Sequence, residues 1–337
     1  MSKINFGNVY KQLVIFVTMD CNLHCEYCFE KGRHRREYIR QSVIEDIKQQ
    51  IQKSGSMLCD GIEFMGGEPM LAQDTIIDFI KTFKDSLSYV IMTNGTIPFD
   101  HFIEETKAYA GNILFNVSYD FSSNGMRHNG LTKEKLQGLI NKLNRYGYTF
   151  SFASVYTPQF ANHVTQNILA LHHDFAGAQL SICRLEQMGQ FTDEYVKPMI
   201  ANLPKLVLTD LYCSYRYGVM ARPPENIHLP PGKEGLYRRS YLCDVANANM
   251  TVVGVDGRLY ACQVQAAAGI NPYANTIKGW RMKPQFYDRL EYNKGYTDCL
   301  TRHDTNQQWE KAVEENRQLW QTVHDKLQRL KEAQDAY

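Results

Sequence analysis

Apolar and polar residues follow two different periods along the first 190 residues of the chain. Short apolar runs such as 13–17 and 89–92 predict buried strands, whereas the stretches between the strands carry apolar residues three and four positions apart, as amphipathic helices do. Strands that alternate with helices through short connections predict an α/β fold with a parallel sheet and right-handed crossovers. Strands are predicted at about 11–18, 61–65, 89–92, 113–120, 149–155 and 179–184, and helices at about 42–51, 72–83, 99–109, 131–146 and 161–174.

The fourth predicted strand carries polar residues on one of its two faces. Asn116, Ser118 and Asp120 share one parity along the strand and therefore point to the same side. A strand inside a parallel sheet is buried on both faces, so three polar groups on one face indicate that this face lines a site. In such sheets ligands bind at the carboxyl ends of the strands, where we expect the functional residues to gather.

The pattern changes after residue 190. Residues 191–240 predict a helix followed by a proline-rich connection, and 250–262 predict a β-hairpin with Asp256-Gly257 at its turn. Residues 304–335 predict one long helix, and its apolar stripe is expected to pack on the α/β domain rather than to form a partner interface. The stripe consists of Trp309, Val313, Trp320, Val323, Leu327 and Leu330. The predicted domain organisation is 1–190, 191–240, 241–303 and 304–337.

Composition narrows the class of protein. The 337 residues are 44% hydrophobic, enough for a large core, and 37 basic against 36 acidic residues give a net charge of +1. The near-neutral net charge argues against a nucleic-acid partner, and no apolar run is long enough to span a membrane. The N-terminus shows no signal peptide, and nine cysteines, an odd number, fit the reducing cytoplasm. The basic segment 31–36 attracts an anionic partner or is a solvated loop, and we favour the loop.

The first predicted strand leads directly into three cysteines. Cys21, Cys25 and Cys28 have CxxxCxxC spacing, and three soft ligands on one loop can hold three irons of a cubane cluster while the fourth iron stays open to a small molecule. A zinc knuckle would want four ligands, typically in two pairs, and His24 lies between two of the cysteines rather than beyond them. A disulfide framework would need an oxidising compartment. The loop therefore predicts an iron–sulfur cluster.

These cysteines, with Tyr27 before the last of them, resemble the signature of the radical S-adenosylmethionine (SAM) enzymes. The turn Gly66-Gly67-Glu68-Pro69, after the second strand, is similar to the GGEP motif of that family, and the family also shows the turn Thr93-Asn94-Gly95 after the third strand. The resemblance implies an open, partial (β/α)6 barrel, which agrees with six strand–helix units rather than eight.

The resemblance also implies cofactors and roles. In this family the amino and carboxylate groups of SAM chelate the open iron of a [4Fe–4S] cluster, and an electron cleaves SAM to methionine and a 5′-deoxyadenosyl radical, which takes hydrogen from substrate. Cys21, Cys25 and Cys28 would hold the cluster. The loop around Tyr27 would contact adenine, Gly66 and Gly67 would allow close backbone approach, and Glu68 would lie near the methionyl ammonium. Further cofactor-binding candidates are Asn94, Ser118, Asp120, Ser154, Ser181 and Arg184, and the three serines are equally explained as ordinary polar residues of strands.

A second group of cysteines follows later in the chain. Cys243, Gly257 and Cys262 resemble the opening of the SPASM and twitch modules, which carry auxiliary iron–sulfur clusters. The paired cysteines that end those modules are missing, and Cys299 is the remaining downstream cysteine. Two interpretations stay open: an auxiliary cluster with an open iron or a further ligand, or cysteines that only pack. The candidates for a further ligand are Asp298, His303 and Cys213.

The other cysteines lack motif spacing, and packing is the default interpretation for Cys59, Cys183 and Cys213. For Cys183, on the sixth predicted strand, the alternative to packing is a role as catalytic hydrogen donor at the radical site.

The predicted function is that of an enzyme. The segment with Ser118, Asp120, Arg127 and Gly130 resembles the sulfatase-maturase and peptide-modifying branch, which implies hydrogen abstraction from a peptide or protein residue leading to a crosslink, oxidation or epimerisation. The lack of a leader-binding extension before the barrel counts against a dedicated peptide partner. One alternative is radical dehydrogenation or rearrangement of a sugar, nucleoside or amino acid. Another is a non-catalytic iron–sulfur or zinc-binding module, against which the GGEP motif argues. The expected electron donor is a flavodoxin or ferredoxin.

Overall fold

The structure is a computed structural model that describes residues 12–30, 32–55, 59–120, 130–175, 180–184, 193–217, 250–270, 272–278 and 305–335. The strands are β1 (Gln12–Thr18), β2 (Gly61–Gly66), β3 (Ser88–Thr93), β4 (Ile113–Ser118), β5 (Thr149–Tyr156), β6 (Leu180–Arg184), β7 (Met250–Val253) and β8 (Leu259–Tyr260). The helices are α1 (Gln41–Ser54), α2 (Gln73–Phe83), α3 (Asp100–Thr106), α4 (Lys133–Arg145), α5 (Pro158–Asn162), α6 (Val164–Asp174), α7 (Asp193–Tyr217), α8 (Gln263–Ala268) and α9 (Thr305–Asp335).

The strands form one sheet in the order β6-β5-β4-β3-β2-β1-β7-β8. Each strand from β1 to β4 pairs in parallel with the next one along the chain, as Gln12↔Gly61 and Ile15↔Phe64 do between β1 and β2. The predicted parallel α/β sheet is therefore confirmed. Parallel pairing brings the carboxyl ends of β1, β2 and β3 to the same edge of the sheet.

Within the described ranges, no helix is both long enough and apolar enough to cross a bilayer.

The chain divides into two compact units. The first lies within 1–119, 126–153 and 248–299, and the second within 120–125, 154–247 and 300–337. The domain boundaries that the sequence suggests at 190, 240 and 303 stay predictions.

The first unit has its core on both faces of the central strands. Residues 13–17 of β1 are at most 2% exposed, which explains why this strand is one continuous apolar run. Strand β4 alternates as predicted: Ile113, Phe115 and Val117 are buried, whereas Asn116 and Ser118 on the other face are half-buried. The polar face of β4 is thus open enough to contribute to a site.

The predicted hairpin exists, but its place in the fold differs from the prediction. Strands β7 and β8 pair antiparallel around a turn in which Gly257 has a φ of +82°. The sequence assigns this hairpin to a separate small module, whereas β7 pairs in parallel with β1 from Gln12↔Met250 to Ile15↔Val253 and so continues the main sheet. The physical reason is the backbone of β1: its second edge carries N–H and C=O groups that need partners once both faces of the strand are buried.

The described part of the second unit is mainly helical. Its long helix α9 packs on α7 through part of the apolar stripe: Trp320 is buried with Val207 and Leu211, and Val323 and Leu327 pack against them. The predicted C-terminal helix is confirmed, although Leu330 of its stripe is 59% exposed. The single helix predicted at about 161–174 begins earlier and is divided into α5 and α6 near His163.

Candidate metal centre

The three cysteines of the CxxxCxxC motif lie on one loop that leaves the carboxyl end of β1. The buried side chains of Leu23 and Tyr27, 3% and 6% exposed, anchor this cysteine loop to the body of the first unit. Cys25 is buried, whereas Cys21 and Cys28 are half-buried. The loop therefore holds its thiols at the sheet edge without sealing all of them from a small molecule.

Burial keeps the metal-free thiols in their protonated form. Burial raises the pKa of Cys21 to about 11 and the pKa of Cys28 to about 12. Both thiols therefore carry their protons near neutral pH, and a metal must displace those protons to bind. Among the residues that the structure describes, no three or more His, Cys, Asp or Glu side chains are arranged to hold one metal ion. A [4Fe–4S] cluster instead takes one thiolate at each of three irons, and soft sulfur donors suit it.

Backbone hydrogen bonds hold the GGEP turn against the end of β1 and the start of the cysteine loop. Gly67 N donates to Thr18 O at 3.1 Å, and Glu68 N donates to Asp20 O at 2.8 Å. A Cβ on Gly66, whose φ is +153°, would lie 2.2 Å from Thr18 O, and a Cβ on Gly67 would lie 2.4 Å from Asp20 O. The glycines are thus needed for contact between the two turns. Their predicted contact with SAM stays a prediction.

Glu68 joins the GGEP turn to the end of β3. Its side chain is 1% exposed, and Oε1 accepts hydrogen bonds from Met70 N at 3.0 Å and Thr93 Oγ1 at 2.7 Å. Its Oε2 accepts from Asn94 N at 2.7 Å. The carboxylate therefore has an architectural role that sequence reasoning did not foresee, and its predicted place near a methionyl ammonium stays a prediction.

A network of side-chain hydrogen bonds ties the β3 turn back to the cysteine loop. Asn94 Nδ2 donates to Asn22 Oδ1 at 2.9 Å, and Asn22 Nδ2 donates to Thr96 Oγ1 at 2.7 Å. Thr96 Oγ1 in turn donates to Asn94 Oδ1 at 2.6 Å. Sequence reasoning named Asn94 but missed Asn22 and Thr96, although the place of Asn22 between two ligand cysteines could have drawn attention to it.

Two residues after the third cysteine, Glu30 is 2% exposed. Burial raises its pKa to about 8, although the nearby Arg33 and Arg35 act in the opposite direction. Glu30 Oε2 has no hydrogen-bond partner among the described residues. Sequence reasoning missed this carboxyl, because nothing in the local pattern distinguishes a buried glutamate from an exposed one.

The segment after Glu30 is more than a solvated loop. Arg36 is exposed, as the loop interpretation expects, but Arg33 Nη1 donates to Phe29 O at 2.8 Å. His34 is half-buried, and its Nε2 lies 3.8 Å from Cys28 Sγ. The basic segment thus packs partly against the cysteine loop.

The structure describes only some of the remaining SAM candidates. Ser118 is half-buried on the polar face of β4, where Ser151 Oγ donates to Asn116 Oδ1 at 3.2 Å. In the second unit, Asp120 follows β4, and Ser154 on β5 is 1% exposed with an Oγ that has no hydrogen-bond partner within the described part of the chain. The side chains of Ser181, Cys183 and Arg184 on β6 lie outside the described residues.

The auxiliary-cluster candidates are described only in part. Cys262 is the N-cap residue of α8, and its Sγ accepts a hydrogen bond from Val264 N at 3.4 Å. Cys243 and Cys299 lie outside the described residues, as do Arg127, Asp298 and His303. Cys59 and Cys213 are both 0% exposed, as the packing interpretation requires.

Comparison with known proteins agrees with the chemistry of this loop. Residues 9–140 match the family described as a 4Fe-4S single cluster domain, and this range contains the cysteine loop, the GGEP turn and the β3 turn.

Three curated relatives each match less than half of the chain. An S-adenosylmethionine-dependent nucleotide dehydratase from Lacinutrix mariniflava is 30% identical over 146 residues, which is 40% of this chain and 30% of that protein. A probable GTP 3′,8-cyclase from Methanocaldococcus jannaschii is 32% identical over 119 residues, 35% of this chain and 39% of that protein. The radical SAM cyclopropyl synthase TigE from Paramaledivibacter caminithermalis is 24% identical over 163 residues, 42% of this chain and 34% of that protein. The chain thus matches between 30% and 39% of the length of these relatives.

Solved structures resemble the fold over most of the chain. The structure of anSMEcpe with bound AdoMet and the Cp18Cys peptide gives a TM-score of 0.64 at 19% identity, covering 87% of this chain and 84% of that one. SuiB from Streptococcus suis, bound to S-adenosylmethionine, gives 0.61 at 16% identity, covering 84% and 67%. At these identities the likeness concerns the fold.

Proposed function

We propose that this chain, which belongs to the radical SAM superfamily, is an enzyme that cleaves SAM reductively and abstracts hydrogen from a peptide or protein residue. Its cofactors are a [4Fe–4S] cluster and SAM. When bound, the cluster supplies the electron that cleaves SAM to methionine and a 5′-deoxyadenosyl radical. We further propose a flavodoxin or ferredoxin as electron donor and the cytoplasm as the site of the reaction.

One observation carries the proposal: three turns with the family's motifs are hydrogen-bonded into one assembly at the carboxyl edge of β1, β2 and β3. The GGEP turn donates to the backbone of the cysteine loop, and Glu68 accepts from the β3 turn. A cluster alone would need only the thiols. The buried carboxylate and the glycines hold a second and a third turn against them, and this supports a site that binds a further molecule beside the cluster.

The residues present fit these cofactors. Three cysteines leave one iron of a cubane without a protein ligand, so SAM has a coordination position. The cysteine loop carries the three thiols. Glu68 and the glycines fix the position of this loop, and the hydrogen bond between Asn94 and Asn22 holds it to the β3 turn. The protein's part in the chemistry is to hold and orient these groups and to exclude water.

The test is formation of methionine and 5′-deoxyadenosine by the chain after anaerobic reconstitution and chemical reduction. We expect both products in a one-to-one ratio from the native chain. Cys25→Ala should abolish them because it removes a cluster ligand, whereas the matched variant Cys59→Ala should keep them because Cys59 is a buried thiol outside the motif. A native chain that assembles the cluster but forms neither product would leave the non-catalytic iron–sulfur module as the function.

The peptide substrate is the finer part of the proposal. It is supported by solved structures that resemble the fold over 84–87% of this chain, among them anSMEcpe bound to the Cp18Cys peptide and SuiB, a protein also seen with its precursor peptide SuiA. The resemblance of the segment around Ser118 to peptide-modifying enzymes points the same way.

A small metabolite is the second candidate substrate. The nucleotide dehydratase and the GTP cyclases, which reach 30% identity and more, act on nucleotides according to their names. Deuterium transfer separates the two candidates. Deuterated peptides should place deuterium in 5′-deoxyadenosine if the proposal holds, whereas transfer from deuterated nucleotides, sugars or amino acids alone would overturn it in favour of the metabolite.

A further inference from the structure

The imidazole of His34 lies beside the sulfur of a cluster ligand. Its Nε2 is 3.8 Å from Cys28 Sγ, within hydrogen-bond reach of a sulfur atom. His34 is six positions after Cys28, and neither the CxxxCxxC spacing nor the GGEP turn includes it. The contact is therefore a feature of this chain's own loop.

The backbone on both sides of His34 is held in place. Arg33 N donates to Glu30 O at 2.8 Å, and Arg35 N donates to Met19 O at 3.1 Å. The first bond fixes the segment to the end of the cysteine loop, and the second fixes it to the end of β1. These two bonds fix the backbone of His34, and its half-buried side chain lies next to the sulfur.

The direction of the hydrogen bond follows from the state of the sulfur. A Cys28 sulfur that binds iron is a thiolate without a proton, and it can only accept. The contact is then attractive only if the imidazole carries its hydrogen on Nε2 and donates it. Resting on the cluster of the proposed function, we propose that His34 donates a hydrogen bond from Nε2 to Cys28 Sγ and thereby raises the reduction potential of the [4Fe–4S] cluster.

The sign of the effect follows from the charge of the cluster. Reduction adds one negative charge, part of which is carried by the ligand sulfurs. A hydrogen bond to a sulfur stabilises the more negative, reduced form more than the oxidised one, and such bonds are one of the means by which proteins set the potential of iron–sulfur clusters. Hydrogen bonds to charged groups are the stronger class, and Cys28 is half-buried, so water replaces a lost donor only in part.

The proposal is testable because the hydrogen-bond donor, His34 Nε2, belongs to a side chain that can be substituted. Cys21 Sγ accepts from Leu23 N at 3.5 Å, a backbone bond that substitution cannot remove. The bond from His34 disappears with the imidazole. His24 provides the matched control, because its ring stands edge-on to that of His34 at 6.1 Å between centroids and is exposed.

The experiment is a redox titration of the reconstituted full chain, without SAM, monitored by the electron paramagnetic resonance signal of the reduced cluster. Four proteins are compared: native, His34→Phe, His34→Gln and His24→Phe. We expect His34→Phe to lower the ratio of reduced to oxidised cluster roughly tenfold at a fixed solution potential, equivalent to about 59 mV for a one-electron couple. His34→Gln retains an N–H donor and should recover part of the shift. His24→Phe should match the native chain.

Three results would overturn the proposal. An unchanged potential in His34→Phe would mean that the contact does not tune the cluster. An equal fall in His24→Phe would assign the effect to general polarity around the loop. Loss of iron and sulfide from His34→Phe would make His34 a part of the cluster's scaffold. Failure of the proposed function is distinguishable, because it shows in the native chain as a lack of cluster or of SAM cleavage before any His34 variant is compared.

Discussion

At the scale of single residues, Glu30 makes the stability of the metal-free chain depend on pH. Burial raises its pKa from 4.5 to about 8, so between these values the folded chain holds a proton that the unfolded chain has lost. The free energy of unfolding therefore falls as pH rises through this window, by about 1.4 kcal/mol per pH unit from this group. We expect Glu30→Gln to remove this component, so that the variant gains stability relative to the native chain as pH rises.

Urea denaturation of both metal-free proteins at several pH values between about 4.5 and 8 measures this difference. Glu26→Gln, which changes an exposed carboxyl of the same loop, is the control and should follow the native chain. A difference between Glu30→Gln and native that stays constant across the window would contradict the prediction.

Glu68 gives a second prediction at this scale. Its carboxylate accepts from Met70 N, Thr93 Oγ1 and Asn94 N, and Glu68→Gln replaces one acceptor oxygen with a donor. A buried donor left without an acceptor costs about 1–3 kcal/mol. We therefore expect Glu68→Gln to lower the free energy of unfolding by that amount even without SAM, as measured by urea denaturation. Unchanged stability combined with weakened SAM binding would assign Glu68 to the cofactor alone.

The site residues that the sequence reveals are those with a fixed spacing. Cys21, Cys25 and Cys28 and the GGEP turn are recognisable because iron coordination and close backbone contact restrict both residue type and position. The contacts of Asn22 and His34 exist only in the folded loop. The place of Asn22 between two cysteines is a weak signal, and no spacing rule marks His34.

At the scale of elements, the contact between the GGEP turn and the cysteine loop depends on the lack of a side chain at Gly67. A Cβ there would lie 2.4 Å from Asp20 O and 2.9 Å from Cys21 Cβ, and neither the backbone nor the ligand cysteine can move without shifting the cysteine loop. We expect Gly67→Ala to lose, after reconstitution, more than half of the iron that Cys21, Cys25 and Cys28 hold in the native chain. Iron and sulfide analysis of the reconstituted variant and the native chain measures this loss.

The matched control is Gly138→Ala in the middle of α4, where a Cβ would meet nothing within 4 Å. Alanine is favoured over glycine inside a helix, so this variant should gain about 0.5–1 kcal/mol in stability and keep its full iron content. Full iron in Gly67→Ala as well would show that the two turns can separate without harm to the cluster.

The elements themselves follow closely from the periodic pattern, because amphipathic helices and apolar strands are local consequences of burial. Helix α1 shows its predicted inner face, with Val43, Ile44, Ile47 and Ile51 buried. The pairing of β7 with β1 was not predictable in the same way. A hairpin signal fixes which two strands pair with each other, but the edge that accepts them is decided by distant residues.

At the scale of the whole molecule, the iron content of the chain decides whether it carries one iron–sulfur cluster or two. We expect about eight irons per native chain after reconstitution, falling to about four when Cys21, Cys25 and Cys28 are all changed to alanine. The remaining irons would belong to an auxiliary cluster on Cys243, Cys262 and Cys299. About four irons falling to none would mean that these later cysteines only pack and that the chemistry uses one redox centre.

The pairing of β7 with β1 also bears on the order of events during synthesis. Ile15 and Val253 are paired neighbours in the sheet, but at about 5–20 residues per second a ribosome needs roughly 10–50 s to pass from one to the other. Throughout that interval β1 lacks one of its two neighbours, and contacts so distant along the chain slow folding. Because the cysteine loop leaves the end of β1, we expect the nascent chain to emerge without its cluster and to acquire iron and sulfide only after translation has passed β7.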